Sequence, residues 1–197
     1  MRVIAGEWRG RKLKEPSGRD VTRPTTDRVR EAMASMIDAA REDGIEGMHV
    51  LDAFAGSGAL GIEMLSRGAA FATFFDVDRT AAALVRENLG TVRCAPARYR
   101  VVAGDVLAHA ERGRIAGGPF DLVLVDAPYA YGAEPAERLA RACAAQGLLA
   151  PGALLLCEHA AGDAAPAPAG FEVVREKRYG STCVDLLRLA SPGSPLA

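Results

Sequence analysis

From residue 48 onward, short uninterrupted apolar runs alternate with longer segments whose apolar positions recur every three or four residues. The runs "MHVLDAFA", "FATFFDV", "RYRVVAGDV", "FDLVLVD" and "GALLLCEH" predict strands buried on both faces. Between them, "GALGIEMLSRG", "RTAAALVRENLG" and "AEPAERLARACAAQ" have helical spacing, and the first helix is stopped by Gly68. Strands alternating with helices in this way predict an α/β fold with a parallel sheet covered on both faces. After the Ala/Pro loop "AAGDAAPAPAG", the segments "FEVVREKRYG" and "STCVDLLRL" follow with almost no room between them. Two strands joined that tightly must pair antiparallel.

The N-terminal pattern is different. "MRVIAGEWRGRKLKEP" has short alternating runs around glycine turns and predicts a small β-hairpin. In "RPTTDRVREAMASMIDAA", a Thr-Thr-Asp cluster suited to capping follows Pro24, and Val29, Met33, Met36 and Ile37 mark a helix. The expected organisation is a basic hairpin extension (1–22), one catalytic-type domain (23–190) and a disordered tail (191–197), with no internal repeat.

A chain of 197 residues, 49% hydrophobic and 25% charged, holds one sizeable core. Net charge is −1, but residues 1–30 carry nine basic against four acidic groups, while the remainder carries 15 against 21. A basic arm on an acidic body is suited to meeting a polyanion, the alternative being a solvated face. The four cysteines form no CxxC pair, so free thiols in a reducing compartment are expected and a metal site is not. The N-terminus lacks an apolar signal-like stretch and no run approaches membrane-spanning length. A cytoplasmic protein with no membrane partner is expected.

Chemistry concentrates at the strand ends. "LDAFAGSGALG" places Gly56, Gly58 and Gly61 between a strand and a helix, the context of a nucleotide-binding loop. Asp76, ending the next strand, is placed to accept hydrogen bonds from ribose hydroxyls and ranks above Asp78, which could cap the following helix. Asp52 argues against a dinucleotide, because a carboxylate at the loop mouth repels a pyrophosphate. A ligand carrying a sulfonium and an ammonium, S-adenosyl-L-methionine, suits that mouth. No Gly-Lys-Ser/Thr closes the loop, which excludes a P-loop. Asp105 would lie at the adenine end of the same crevice, or cap a helix.

With Asp52, the glycine loop, Asp76, Asp105 and the turn "DAPY" (Asp126, Ala127, Pro128, Tyr129) in this order, the chain resembles the class I adenosylmethionine-dependent methyltransferases. The turn is similar to the Asp/Asn-Pro-Pro-Tyr/Phe motif of those that methylate an exocyclic amine. "RVIAGEWRGRKL", "TRPTTDRVREAM" and "KRYGSTCVDLLRL" resemble the RsmD family, which methylates the N2 amine of a guanine in small-subunit (16S) ribosomal RNA. The resemblance implies a Rossmann-like seven-stranded sheet ending in an antiparallel hairpin. It implies cofactor contacts from Asp52, Phe54, Ala55, Gly56, Ser57, Gly58, Asp76, Val77, Asp105, Val106 and Asp126, and catalysis at residues 126–129. It implies RNA contacts from Arg2, Trp8, Arg9, Arg11, Lys12, Arg23, Thr25, Thr26 and Arg28, though Trp8 could equally be a packing anchor. Glu158 and Tyr179 are lesser site candidates. The expected partner is ribosomal RNA or the small ribosomal subunit, bound by a monomer. The departure is Ala127, where the family pattern has proline. The residues alone leave open a DNA adenine-N6 or cytosine methyltransferase and a non-catalytic binding module, with a dehydrogenase more distant.

Overall fold

Strands β1 (His49–Asp52), β2 (Phe71–Asp76), β3 (Tyr99–Ala103), β4 (Phe120–Val125), β5 (Leu149–Ala160), β6 (Phe171–Tyr179) and β7 (Thr182–Leu189) form one sheet in the computed structural model, which describes residues 1–16 and 26–190. The strand order is β3-β2-β1-β4-β5-β7-β6, parallel from β3 to β5, with β7 antiparallel to both of its neighbours. Gly180 turns β6 into β7 at φ 65, a conformation that costs glycine little. The expected boundary at residue 22, the tail at 191–197, and the candidates Arg23 and Thr25 lie outside the described residues.

Alternation along the strands divides the core in two. In β4, Leu122 and Leu124 face one cluster, while Val123 and Val125 face the other. Helices α1 (Asp27–Asp38), α2 (Ala59–Ser66) and α3 (Arg79–Val92) bury Met33, Ile37, Ile62, Leu65, Val85 and Leu89 on the first face. On the second, α4 (Val106–Glu111) and α5 (Glu134–Ala145) bury Val106, Ala110, Leu139 and Cys143. Each large side chain so buried contributes about 1.5–3 kcal/mol. Gly61 sets how closely α2 approaches the sheet. A Cβ there would lie 2.4 Å from the Phe74 ring and 2.8 Å from Asp52 Oδ2.

Two elements differ from expectation. The helix α3 continues past Gly90 to Val92, which is buried, and ends at Arg93 in the left-handed region. The segment after β3 forms α4, which the sequence marks only through Asp105 as a candidate cap.

The N-terminal arm has one bridge, Arg2 to Lys12, where a regular hairpin is expected. It is held by the body instead: Val3, Trp8 and Leu13 are buried in the same core as α1, α2 and α3. Glu63, fully buried on α2, accepts hydrogen bonds from the Ile4 and Ala5 N–H groups at 2.8 and 3.0 Å. The arm is therefore a strap along α2 and shares the domain's core.

The chain leaves β1 toward β2 and β3 on one side and later fills β4 and β5 on the other. Ligands bind where such an order reverses, beyond the C-terminal ends of the strands. Here Asp52 pairs with Leu124, which sets the turn after β1 beside the turn after β4.

Candidate active site

The loop after β1 is stitched to both neighbouring strands. The Ala53 N–H donates to the Leu124 carbonyl (3.0 Å) and the Ala55 N–H to the Phe75 carbonyl (2.9 Å). Gly56 and Gly58 lie at φ 53 and 76, and Gly58 caps α2. A Cβ at Gly56 would meet nothing within 4 Å, so glycine is needed there for its conformation and that face of the loop is open. Ser57 is buried, and its carbonyl accepts from Asn88 Nδ2 at 2.9 Å. Phe54 and Ala55 are half-buried, packed against opposite core clusters.

Asp52 differs from expectation in its exposure. It is 4% exposed, and its Oδ2 accepts from the Gly61 N–H at 3.0 Å, inside the first turn of α2. Burial pushes its pKa up to about 7, against the Gly61 hydrogen bond and with help from Asp76. The carboxylate thus occupies the helix N-terminus that a pyrophosphate would need, which is how it disfavours a dinucleotide. The exposed negative character of the crevice comes from its neighbours.

Asp76, half-buried, accepts from the Gly56 N–H (Oδ2, 2.9 Å) and the Asp78 N–H (Oδ1, 2.9 Å). Each oxygen keeps a second lone pair for a ribose hydroxyl. Asp78 caps α3 through the Thr80 N–H at 2.7 Å. Asp105 is exposed beyond β3 and caps α4 through the Leu107 and Ala108 N–H groups at 2.9 and 3.2 Å. The Gly104 N–H donates to the Asp76 carbonyl (2.8 Å), which holds the two acidic strand ends side by side. Val77 is 72% exposed between them, an apolar surface suited to a ring, whereas Val106 is buried beneath. An open glycine loop, a hydroxyl-accepting acid, an apolar rim and a closed phosphate position fit adenosylmethionine.

The turn after β4 completes the crevice. Asp126 is exposed, Ala127 is buried in the second core cluster, and Pro128 is extended at φ −54, ψ 129. Tyr129 donates from its hydroxyl to Glu158 Oε1 at 2.7 Å and lies 3.1 Å from Thr182 Oγ1. Burial and the Glu158 carboxylate push its pKa up to about 12, against the Thr182 hydroxyl. Glu158 is therefore brought to the turn. Tyr179 packs against the first core cluster, with its hydroxyl buried and without a partner among the described residues.

The arm candidates divide. Met1 Sδ lies 3.4 Å from Ser57 Oγ, so the arm begins at the crevice, but Gly6 and Glu7 reach Ser66 at the far end of α2. That is about 12 Å away, at 1.5 Å per helical residue. Trp8 is 4% exposed, with Arg98 over its ring. It is the packing anchor, and its assignment to RNA is corrected. Arg9 is exposed near the same far end, and Arg11 reaches the Thr91 carbonyl at 3.5 Å, so neither is gathered to the crevice. Arg2 and Lys12 are exposed, and Arg2 pairs with Asp27 at 3.3 Å. Thr26 caps α1 through the Val29 N–H, and Arg28 is exposed beside it.

Sequence reasoning missed Arg30, which is 2% exposed. Its Nη2 bonds the Arg2 carbonyl and Asp27, while Nε and Nη1 are buried without partners among the described residues. A charged residue in a helical run reads as surface, and only its 3.6-residue phase marks it as inward. Elsewhere, a cavity of about 540 Å³ lies at the far end of α2, lined by Glu7, Arg67 and Arg98, away from the acidic strand ends. Among the described residues, no group of three or more His, Cys, Asp or Glu is placed to hold a metal ion. No described helix is long and apolar enough to cross a membrane.

This sheet order with a reversed β7, a glycine loop after β1 and an acid ending β2 defines a class I adenosylmethionine-dependent methyltransferase. Within that class the chain belongs to the RsmD family: the family model described as "Conserved hypothetical protein 95" matches residues 1–188. The chain is 36% identical over 194 residues to Ribosomal RNA small subunit methyltransferase D of Escherichia coli (strain K12), covering 98% of this chain and 92% of that one. It is 33% identical over 181 residues to the Haemophilus influenzae protein of the same name, with 91% and 89% covered. The solved structure of yhhF from Escherichia coli matches with a TM-score of 0.82 at 34% identity, covering 98% and 99% of the two chains.

Proposed function

We propose that this protein transfers a methyl group from S-adenosyl-L-methionine to the exocyclic N2 amine of a guanine in small-subunit ribosomal RNA. The observation that carries the reading is the adjacency of the open glycine loop and the exposed Asp126 turn at the reversal point of the sheet. The full-length likeness to ribosomal RNA small subunit methyltransferases supports the choice of RNA.

Adenosylmethionine supplies an electrophilic methyl group on a sulfonium. The protein must present a poor nucleophile to it, since the amine lone pair is delocalised into the guanine ring. Asp126 accepts one amine N–H, and the carbonyl of Ala127 or Pro128 accepts another, which turns the lone pair toward the methyl. Tyr129, 40% exposed, offers its ring to the extruded base while Glu158 and Thr182 tether its hydroxyl. No separate strong base is required, because the methylated amine loses its proton readily. Most of the acceleration comes from alignment. Ala127 keeps the carbonyl that the family's proline would present, and Pro128 biases it toward extended geometry.

The test is methylation of ribosomal RNA from a strain lacking this protein, with tritiated adenosylmethionine, nucleoside analysis of the product, and duplex DNA as a control. N2-methylguanosine is the expected product. Asp126→Ala should lower kcat by at least about 100-fold with the cofactor Kd nearly unchanged, and Asp126→Asn should keep part of the activity through its amide oxygen. Label appearing in DNA adenine or cytosine, or equal activity of the two variants, overturns the reading.

A further inference from the structure

We infer that the C-terminal end of strand β6 is an RNA-backbone contact surface, formed by Arg175, Lys177 and Arg178 and separate from the N-terminal arm. The inference rests on the RNA reading above.

Strand β6 is the outermost strand beyond β7, and every residue from Glu172 to Arg178 is exposed. An antiparallel strand normally rests one face on the core. Here only the two ends do, Phe171 and Tyr179, and between them even Val173 and Val174 are 55% and 38% exposed. Helix α1 packs on β5 and the neighbouring β7. Charge on an open edge can serve only to prevent pairing with another chain. Such a role has no preference for position along the strand, yet the three cations are gathered toward the C-terminal end, with Glu172 at the opposite end and Glu176 between.

Pairing shows where these cations sit. Because β6 runs parallel to β5, its C-terminal end lies at the same sheet edge as Asp126. Thr182, opposite Tyr179, is 3.1 Å from the Tyr129 hydroxyl, so the tip of the hairpin touches the catalytic turn. A register shift at Val173/Arg175 places Arg175 opposite Leu186 and Lys177 opposite Val184. Leu186 and Val184 belong to the core under α1, and cross-strand partners share a face. Arg175 and Lys177 therefore stand on the side of the sheet that also carries Arg2 and Arg28 at the start of α1. Arg178 lies opposite Cys183 on the other side, its Nε on the Gly180 carbonyl at 2.9 Å. Cations thus flank the Asp126 turn from two directions, which fits a phosphate backbone passing over it with one base turned inward.

The test uses the full chain with Arg175→Gln, Lys177→Gln and Arg178→Gln combined, and in vitro transcribed small-subunit ribosomal RNA as the probe. The salt slope of RNA binding should fall by about 2–3, near one for each phosphate that is no longer neutralised. KM for RNA should rise, while kcat at saturating RNA and the cofactor Kd stay within about two-fold. Glu176→Gln should tighten RNA binding slightly. An unchanged slope and KM overturn the inference, as does a parent protein that sediments as a dimer which the triple variant dissociates, since β6 would then be an interface between copies. If the parent binds RNA with the expected slope change but transfers no methyl group, the contact surface stands and the proposed reaction falls.

Discussion

Around the glycine loop, side chains from distant elements converge on backbone: Asp52 on the Gly61 N–H, Asp76 on that of Gly56, Asn88 on the Ser57 carbonyl. Asp52 and Asn88 are buried, and the arm is strapped behind them. At the Asp126 turn the Tyr129 hydroxyl reaches Glu158 and Thr182, and β6 beyond it is exposed from Glu172 to Arg178. On the proposed reading, the contrast follows the size of what each half receives. A small cofactor gains from a loop fixed before it arrives, because ordering costs affinity. A polymer must be admitted from solvent, and its contacts lie on an open surface. The cofactor half should therefore be where mutations cost stability, and the substrate half where they cost function alone.

The largest effect is expected at the strap. Trp8→Ala removes a buried aromatic from the core beside α2 and should destabilise the protein by about 3–5 kcal/mol, read as a lower urea midpoint. Val174→Ala, at the exposed edge of β6, should shift stability by no more than about 0.5 kcal/mol. Comparable costs for the two would erase the contrast.

Next comes the pH response of Asp52. Its folded pKa of about 7 lies above the ordinary 3.8, so between those values the folded state holds a proton that the unfolded chain releases. Stability is then fully present below about pH 4, declines as the pH rises toward 7, and levels off above it. Asp52→Asn retains an acceptor for the Gly61 N–H and removes the ionisation. Its advantage over the parent should grow from pH 5 to pH 8, to an upper bound of roughly 4 kcal/mol at 1.36 kcal/mol per unit. Denaturation curves that stay parallel across this range would place the ionised carboxylate at no cost in the loop.

The halves also differed in how readily the sequence disclosed them. Short unbroken runs such as "FDLVLVD", too brief for a helix and bounded by turn residues, mark buried strands, and glycines between strand and helix mark the loop, so the sheet and the cofactor side were legible locally. Helix α4 was not, since six residues repeat the helical period less than twice. The burial of Trp8 was also hidden, because Glu63 and Ser66, which receive the arm's N–H groups, lie more than fifty residues away. The same holds for Tyr129, whose partners Glu158 and Thr182 are 29 and 53 residues distant. A turn motif names its residues but not the tether that aims them.

That tether gives a small stability change and the sharpest test of the substrate half. Tyr129→Phe keeps the ring available for stacking and removes only the hydroxyl. The lost hydrogen bonds reach a carboxylate and a hydroxyl at a partly exposed site, so the cost should be about 0.5–1.5 kcal/mol, well below that of Trp8→Ala. The cofactor Kd should not change, because the hydrogen bonds that hold the glycine loop come from β2, β4, α2 and α3 and none of them is made by the Tyr129 hydroxyl. The base would still stack, but on a ring free to pivot, and the amine would spend less time in line with the methyl group. Turnover at saturating RNA should fall several-fold while KM changes little, which separates aiming from affinity. A loss confined to KM would mean that the hydroxyl itself meets the RNA. Weaker cofactor binding would mean that the two halves of the crevice are mechanically one.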